Sequence, residues 1–311
     1  MADMLFFILK LTASVSFCFA IAYALTPATV SAARALGAID VPDGVRKINR
    51  SSMPRLGGIG FFAAFIFGAL LFLPFGDKAA CAILIGGGII VAFGVADDIR
   101  GLPPTIKLAS QLFASAAVVL TVGSPESFSF FGVFSVPLTP AVGVIFSITR
   151  IAFTTNAVNF SDGLDGLASG LSAVATASLG IYALKHGDTD TALCAFIITA
   201  SILGFLPHNK YRARVFMGDS GSQFLGISIA ALALCASGGG FNLATSLFLA
   251  VPIFDTWFSI IRRILKGKSP FAADKGHLHH LLLSIGISHP TAVKLLVSLS
   301  AAIATVTLWF I

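Results

Sequence analysis

Charge is what this sequence has least of. Its 311 residues include 20 Lys or Arg and 14 Asp or Glu, 11% in all, where soluble domains carry about 25%. That shortage excludes a soluble enzyme, a disordered chain and a nucleic-acid-binding domain. Cysteine is scarce as well. Cys18, Cys81, Cys194 and Cys235 all sit in apolar runs and none forms a C-x-x-C pair, so they read as small core residues and not as a disulfide or metal framework. There is no G-x-x-x-x-G-K-[ST], no G-x-G-x-x-G in strand context, no serine nucleophile elbow and no H-E-x-x-H. P-loop, dinucleotide-binding, serine-hydrolase and zinc-protease chemistry are thereby set aside. No repeat, low-complexity tract or linker is visible.

What is abundant is apolar sequence: 56% hydrophobic residues and a mean hydropathy of +0.93. A helix crossing a bilayer needs about 20 apolar residues. Ten runs qualify, at 4–25, 57–75, 80–96, 106–122, 138–156, 163–184, 191–207, 220–237, 241–264 and 291–311. The runs are continuous, which excludes the short alternating segments of an outer-membrane barrel. The connections are too short for a separate soluble domain. The expectation is one all-α, polytopic membrane domain over 1–311 with about ten transmembrane helices. Ala22-Tyr23-Ala24 resembles a signal-cleavage site, but Asp3 and the lack of a basic residue before Lys10 favour a retained first helix.

Basic residues sort sharply between the two sets of loops. The odd-numbered connections and their helix ends hold fifteen: Arg34, Arg46, Lys47, Arg50 and Arg55; Arg100 and Lys107; Lys210, Arg212 and Arg214; Arg262, Arg263, Lys266, Lys268 and Lys275. The even ones hold Lys78 and Lys185. Basic loops stay cytoplasmic, so the odd loops are expected there, with both termini periplasmic. Nine aspartates fall on that same side or at adjacent helix ends, among them Asp40, Asp97, Asp98, Asp162, Asp165, Asp219 and Asp255. Carboxylates at helix ends escape most of the roughly 2.5–3.5 kcal/mol that a charge costs at bilayer centre. They can converge in one polar cleft at the cytoplasmic face, suited to metal and phosphate chemistry.

Four motifs carry that chemistry. Asp97-Asp98 closes the third run; adjacent carboxylates point about 100° apart on a helix, so one can take a cation while the other serves as base, or the pair is simply a polar helix end. Asn156, Asn159, Asp162 and Asp165 recur every three residues, a spacing that shares a helix face. These hard oxygen donors suit Mg²⁺, or the donors of a nucleobase or sugar. Met217-Gly218-Asp219-Ser220-Gly221 opens the eighth run, with Asp219 as helix cap, metal ligand or both. His277-Leu278-His279-His280 lacks matched zinc partners and reads as phosphate or sugar binding beside Lys275, or as a solvated loop. Arg46 and Lys47 are candidate pyrophosphate contacts. Asn209, in Pro207-His208-Asn209-Lys210, is a candidate base or ribose contact. Asp255, inside the ninth run, reads as structural, pairing with Arg262 or Arg263.

Together these motifs resemble the polyprenyl-phosphate N-acetylhexosamine-1-phosphate transferases, glycosyltransferase family 4. The matching pieces are Arg46-Lys47 with Pro54–Gly58, Asp97-Asp98, Lys107 with Gln111, Asn156–Leu167, Phe216–Gly221 and His277–His280, in the family's order across nearly the whole chain. The short histidine block is more like the UDP-GlcNAc branch than the phospho-MurNAc-pentapeptide translocase. The resemblance implies a multi-pass enzyme of the bacterial inner membrane. It would transfer a sugar-1-phosphate from a UDP-N-acetyl sugar to undecaprenyl phosphate, with Mg²⁺ or Mn²⁺, releasing UMP and starting a cell-surface polysaccharide. It implies Asp219 and Asn159 as metal ligands and Asp97 as the group activating the lipid phosphate, with Asp98 beside it. Asp162 and Asp165 would shape the nucleotide-sugar pocket. Asn156, Asn209 and Phe216 would contact donor, and Lys47, Lys107, His277, His279 and His280 phosphates or sugar. Membrane lipid is the expected surrounding partner and no nucleic acid is expected; a homodimer is left open. The rival class is a transporter, which would place its carboxylates at midplane in an inverted repeat; here they cluster at one face.

Overall fold

The computed structural model describes residues 2–41, 52–238, 240–267 and 276–311. Lys47, Arg46, Arg50, Lys268 and Lys275, named above, lie outside the described residues. The helices are α1 (Ala2–Leu36), α2 (Gly57–Phe72), α3 (Lys78–Arg100), α4 (Pro104–Val122), α5 (Pro140–Phe160), α6 (Leu167–Lys185), α7 (Thr189–Asn209), α8 (Gly218–Ala236), α9 (Leu243–Leu247), α10 (Ala250–Leu265), α11 (Leu278–Ser284) and α12 (His289–Phe310). The strands are β1 (Ile39–Asp40), β2 (Met53–Pro54), β3 (Ser127–Phe130), β4 (Phe134–Pro137) and β5 (Phe241–Asn242). β1 pairs antiparallel with β2; β3 pairs antiparallel with β4 and parallel with β5. The chain is mostly helical, and among the described residues eight helices are long and apolar enough to cross a membrane: α1, α3 to α8 and α12.

Two of the ten apolar runs are built differently from the expectation. The run at 57–75 yields only the 16-residue α2. The run at 241–264 is not one helix but β5, the five-residue α9 and the 16-residue α10. α10 is inside-out. Its buried face carries Asp255, Thr256, Ser259 and Arg263, while Phe254, Trp257, Phe258, Ile261 and Ile264 are exposed. Aromatic and aliphatic side chains pointing outward from a polar seam are at home only where the surroundings are hydrocarbon.

α1 continues eleven residues beyond the apolar run that predicts it, through Thr26–Leu36. At 1.5 Å per residue its 35 residues span about 52 Å, well over a hydrocarbon core of about 30 Å. Pro27 sits within it and lacks an N–H, which leaves the Tyr23 carbonyl without its usual helical donor. His208 Nε2, at the end of α7, contacts that carbonyl at 3.1 Å, and its ring packs on Tyr23 at 4.8 Å.

α8 is the axis of the bundle. It is buried almost end to end and packs against α2, α3, α4, α5, α6 and α7. Its sequence is rich in Gly, Ala and Ser, which lets backbones approach closely where no hydrophobic driving force separates helix from lipid. At Gly94 the approach is so close that a Cβ would run into the backbone of Asp219 and Ser220. This contact seats the carboxylate end of α3 on the first turn of α8.

Candidate active site

The amino ends of α2, α4, α6 and α8 meet the carboxyl ends of α3, α5 and α7 at one end of the bundle. The junction is sewn by backbone. Phe216 N donates to Pro54 O, Gly57 N to Phe216 O and Gly58 N to Met217 O, at 2.8–3.0 Å. The Pro54–Gly58 segment is therefore laid alongside the entry to α8, and Arg55 is delivered to the site.

Three carboxylates converge there. Asp97, Asp98 and Asp219 each offer an oxygen, all within 4.8 Å of one another. They do different work. Asp98 is buried, and its Oδ1 accepts from Asp219 N at 2.9 Å while its Oδ2 accepts from Ser220 N and Ser220 Oγ at 3.1 and 2.8 Å. It thus caps α8 from a different helix, satisfying N–H groups that every helix start leaves orphaned. Asp97 Oδ1 accepts from Leu102 N at 2.6 Å, and its Oδ2 stands 2.7 Å from Lys107 Nζ. Asp219 Oδ2 meets the same Nζ at 2.9 Å. The Lys107 ammonium bridges the two carboxylates and occupies the place between them where a cation belongs. Arg55 closes the cluster at 3.6 Å from Asp98, 4.0 Å from Asp219 and 3.7 Å from Asp40. Burial alone would lower its pKa, but Asp98, Asp219 and Asp40 outweigh that and raise it, so it stays charged.

Behind the carboxylates runs a ladder of amides. Asn156 Nδ2 donates to Gln111 Oε1, Gln111 Nε2 to Gln223 Oε1 at 3.1 Å, and Gln223 Nε2 to Asp219 Oδ2 at 3.2 Å. Asn159 Nδ2 donates to Asp219 Oδ1 at 3.2 Å and to Ser222 Oγ at 2.7 Å. Asn159 therefore meets Asp219 as a donor, and Asn156 supports Asp219 from three side chains away. Every rung is a satisfied hydrogen bond, which a buried polar network needs if it is to hold a group rigidly.

In front lies a cleft of about 280 Å³, lined by Asp40, Arg55, Asn159, Asp162, Gly163, Leu164, Asp165, Asn209, Phe216, Gly218, Asp219, His280 and His289. Asp162 sits in the turn between α5 and α6. Burial and the neighbouring Asp219 carboxylate push its pKa well above the usual carboxylate range. Asp165 Oδ2 accepts from Ala213 N at 3.1 Å. Asn209 is 1% exposed, accepting from Ser169 Oγ at 2.9 Å and donating to Val215 O at 3.1 Å. Asp165 and Asn209 thus shape the cleft by pinning the 210–217 loop.

The chain is similar to several curated proteins over most of its length. A protein of Bacillus subtilis (strain 168), named as a probable undecaprenyl-phosphate N-acetylglucosaminyl 1-phosphate transferase, is 36% identical over 285 residues, covering 86% of this chain and 76% of that protein. The decaprenyl-phosphate N-acetylglucosaminephosphotransferase of Mycobacterium leprae (strain TN) is 34% identical, over 81% of this chain and 71% of its own. The undecaprenyl-phosphate alpha-N-acetylglucosaminyl 1-phosphate transferase of Escherichia coli (strain K12) is 30% identical, over 88% and 77%. The pattern of glycosyl transferase family 4 matches residues 80–237. This chain belongs to glycosyl transferase family 4. The matched segment runs from α3 to the end of α8 and contains the three clustered carboxylates, Lys107, the amide ladder and both Asp162 and Asp165.

The histidine block of this family 4 chain divides between cleft and interior. His280 lines the cleft, while His277 and His279 are 7% and 3% exposed. The His277 and His279 rings stack 5.8 Å apart, and His279 lies 4.3 Å from His280. Burial, helped by His280 and His277, pushes His279 down to about 4. Three participants escaped the sequence reading. Arg55 reads in the sequence as one of the basic loop residues, inside the Pro54–Gly58 piece, with no role of its own. Gln223 lies one turn beyond Asp219, a spacing that marks it as a neighbour once Asp219 is singled out. Asp255, read as a partner of Arg262 or Arg263, is joined to the histidine block: His277 Nδ1 lies 2.9 Å from its Oδ2, and Leu278 N donates to its Oδ1 at 2.8 Å.

Proposed function

We propose that this protein transfers N-acetylhexosamine-1-phosphate from a UDP-sugar to undecaprenyl phosphate, yielding UMP and the lipid-linked diphosphosugar that starts a cell-surface polysaccharide. The observation that carries the reading is the cluster of Asp97, Asp98 and Asp219 under a polar cleft, at one end of a bundle of membrane-crossing helices. The names of the relatives make UDP-GlcNAc the first donor to test. The cleft faces the cytoplasm of a bacterial inner membrane in this reading, because the basic loops surround it.

The donor set fits a hard divalent cation, Mg²⁺ or Mn²⁺: carboxylate oxygens, no sulfur, and an excess of negative charge over Lys107 and Arg55. Asp219 would be its principal ligand, with Asp97 and Asp98 in reach and Asn159 holding Asp219 in place. Such an ion neutralises charge on the donor diphosphate. The residues do the rest. An oxygen of the acceptor phosphate attacks the sugar-bearing phosphorus, and the bond to the bridging oxygen breaks with its electron pair leaving on UMP. Lys107, released from between Asp97 and Asp219, meets the phosphates, and Arg55 offsets their mutual repulsion. Asp97 orients the acceptor phosphate and takes its proton. Asp162, which lines the cleft, meets the bound sugar or base.

The test is UMP release by purified protein given undecaprenyl phosphate, Mg²⁺ and a panel of UDP-N-acetyl sugars. Release with UDP-GlcNAc that needs both lipid and metal is the expected result. Asp219→Asn is expected to cut it about 100-fold or more while the protein stays folded. Lipid-independent release, or near-normal turnover of Asp219→Asn, would sink the reading.

A further inference from the structure

Asp255 lies on the buried polar face of α10, outside the family-matched segment, and is not one of the three clustered carboxylates. Both of its oxygens are committed to one place, the start of α11. Oδ1 accepts from Leu278 N at 2.8 Å, and Oδ2 faces His277 Nδ1 at 2.9 Å. Ser259 Oγ stands 3.3 Å from the same Nδ1 and receives Arg262 at 3.3 Å. Phe160, the last residue of α5, packs on the His277 ring at 5.6 Å. From His277 the rings step through His279 to His280, which lines the cleft. A carboxylate can only accept a hydrogen bond. Facing Nδ1, it puts the proton of neutral His277 on that nitrogen and leaves Nε2 as an acceptor.

We propose that Asp255 is a positioning residue for the transfer reaction: it fixes the tautomer of His277 and hangs α11 on α10, so that His280 is presented to the cleft. The proposal rests on the transfer activity argued above, and it has one readout that does not.

That readout is the ¹⁵N NMR spectrum of histidine-labelled protein, with His277 assigned by its loss in His277→Gln. The proposal requires a proton on Nδ1, the nitrogen that faces Asp255; a bare Nδ1 in the wild type overturns it. In Asp255→Asn the amide has one acceptor and one donor. Leu278 N–H takes the acceptor, the NH₂ faces Nδ1, and the proton moves to Nε2. An unchanged tautomer in that variant also overturns it. Kinetically, Asp255→Asn should lose about 10–100-fold in UMP release, as orienting partners of functional histidines do. His280→Gln should shift kcat and KM in the same pattern, and the double variant should be no worse than the more damaged single. Losses that multiply, or full activity in Asp255→Asn, are contrary results. If the wild type releases no UMP with any donor, the transfer reading fails by itself, and the tautomer still decides whether Asp255 positions His277.

Discussion

At the residue scale, the three clustered carboxylates have separable duties. Asp98 is bonded to the first turn of α8 by three donors, whereas Asp219 faces cations and amides. Asp98→Ala leaves those donors unsatisfied in a buried place, at about 1–3 kcal/mol each. It should therefore lower thermal stability in detergent together with activity. Asp219→Asn should lower activity alone, and the two melting curves taken side by side make the distinction. His279 supplies a pH test. Its folded value of about 4 lies below the ordinary 6.5. Between those values the unfolded chain binds a proton that the folded protein refuses, so stability falls as pH drops from 6.5 to 4 and levels off below. Melting temperature followed over pH 8 to 4 should fall less in His279→Leu than in the wild type, and parallel curves would show that His279 is not the group responsible.

At the scale of elements, the site depends on how closely α3 approaches α8. Gly94 leaves no room for a side chain against Asp219 and Ser220, while Gly88 in the same helix has open space around its Cβ position. Gly94→Leu should push α3 off α8, separating Asp97 and Asp98 from Asp219, and abolish UMP release. Gly88→Leu should leave release within about twofold, because a change at an open surface site rarely exceeds a few tenths of a kcal/mol. Equal effects from the two substitutions would mean that general helix propensity, and not this contact, matters at Gly94. α10 belongs to the same argument. Its polar face is buried by the turn that carries the histidines, and its aromatic face is left for lipid.

At the scale of the molecule, the alternation of spans puts the carboxylate cleft at one end and the β3–β4 hairpin at the other. The basic loops predict the cleft end to be cytoplasmic. With the native cysteines replaced, Ser124→Cys beside the hairpin should react with a membrane-impermeant maleimide in intact cells, and a cysteine at Tyr211 only after the membrane is opened. The reverse pattern would invert the topology and place the site where no UDP-sugar reaches it.

Much of this was legible in one dimension. Hydropathy marked a mostly helical, multi-pass membrane protein, since an apolar run of about 20 residues has few other places to go. Motif chemistry singled out Asp97, Asp98, Asn159, Asp162 and Asp219 as candidates, because hard oxygen donors gathered at one membrane face suit metal and phosphate chemistry, and the family resemblance added Lys107. Run length misled at 241–264, where apolar residues face lipid from a short inside-out helix and a polar face hides behind them. Hydropathy averages the two faces; packing separates them. What only the tertiary structure decided is which residues meet. Asp98 caps a helix that begins 120 residues later, Lys107 bridges Asp97 and Asp219, and Asp255 meets His277, 22 residues on. Chemistry of a residue is local and can be read from its type and neighbours in sequence. Partnership across such separations is set by the close packing of small residues along α8, and no local pattern encodes it.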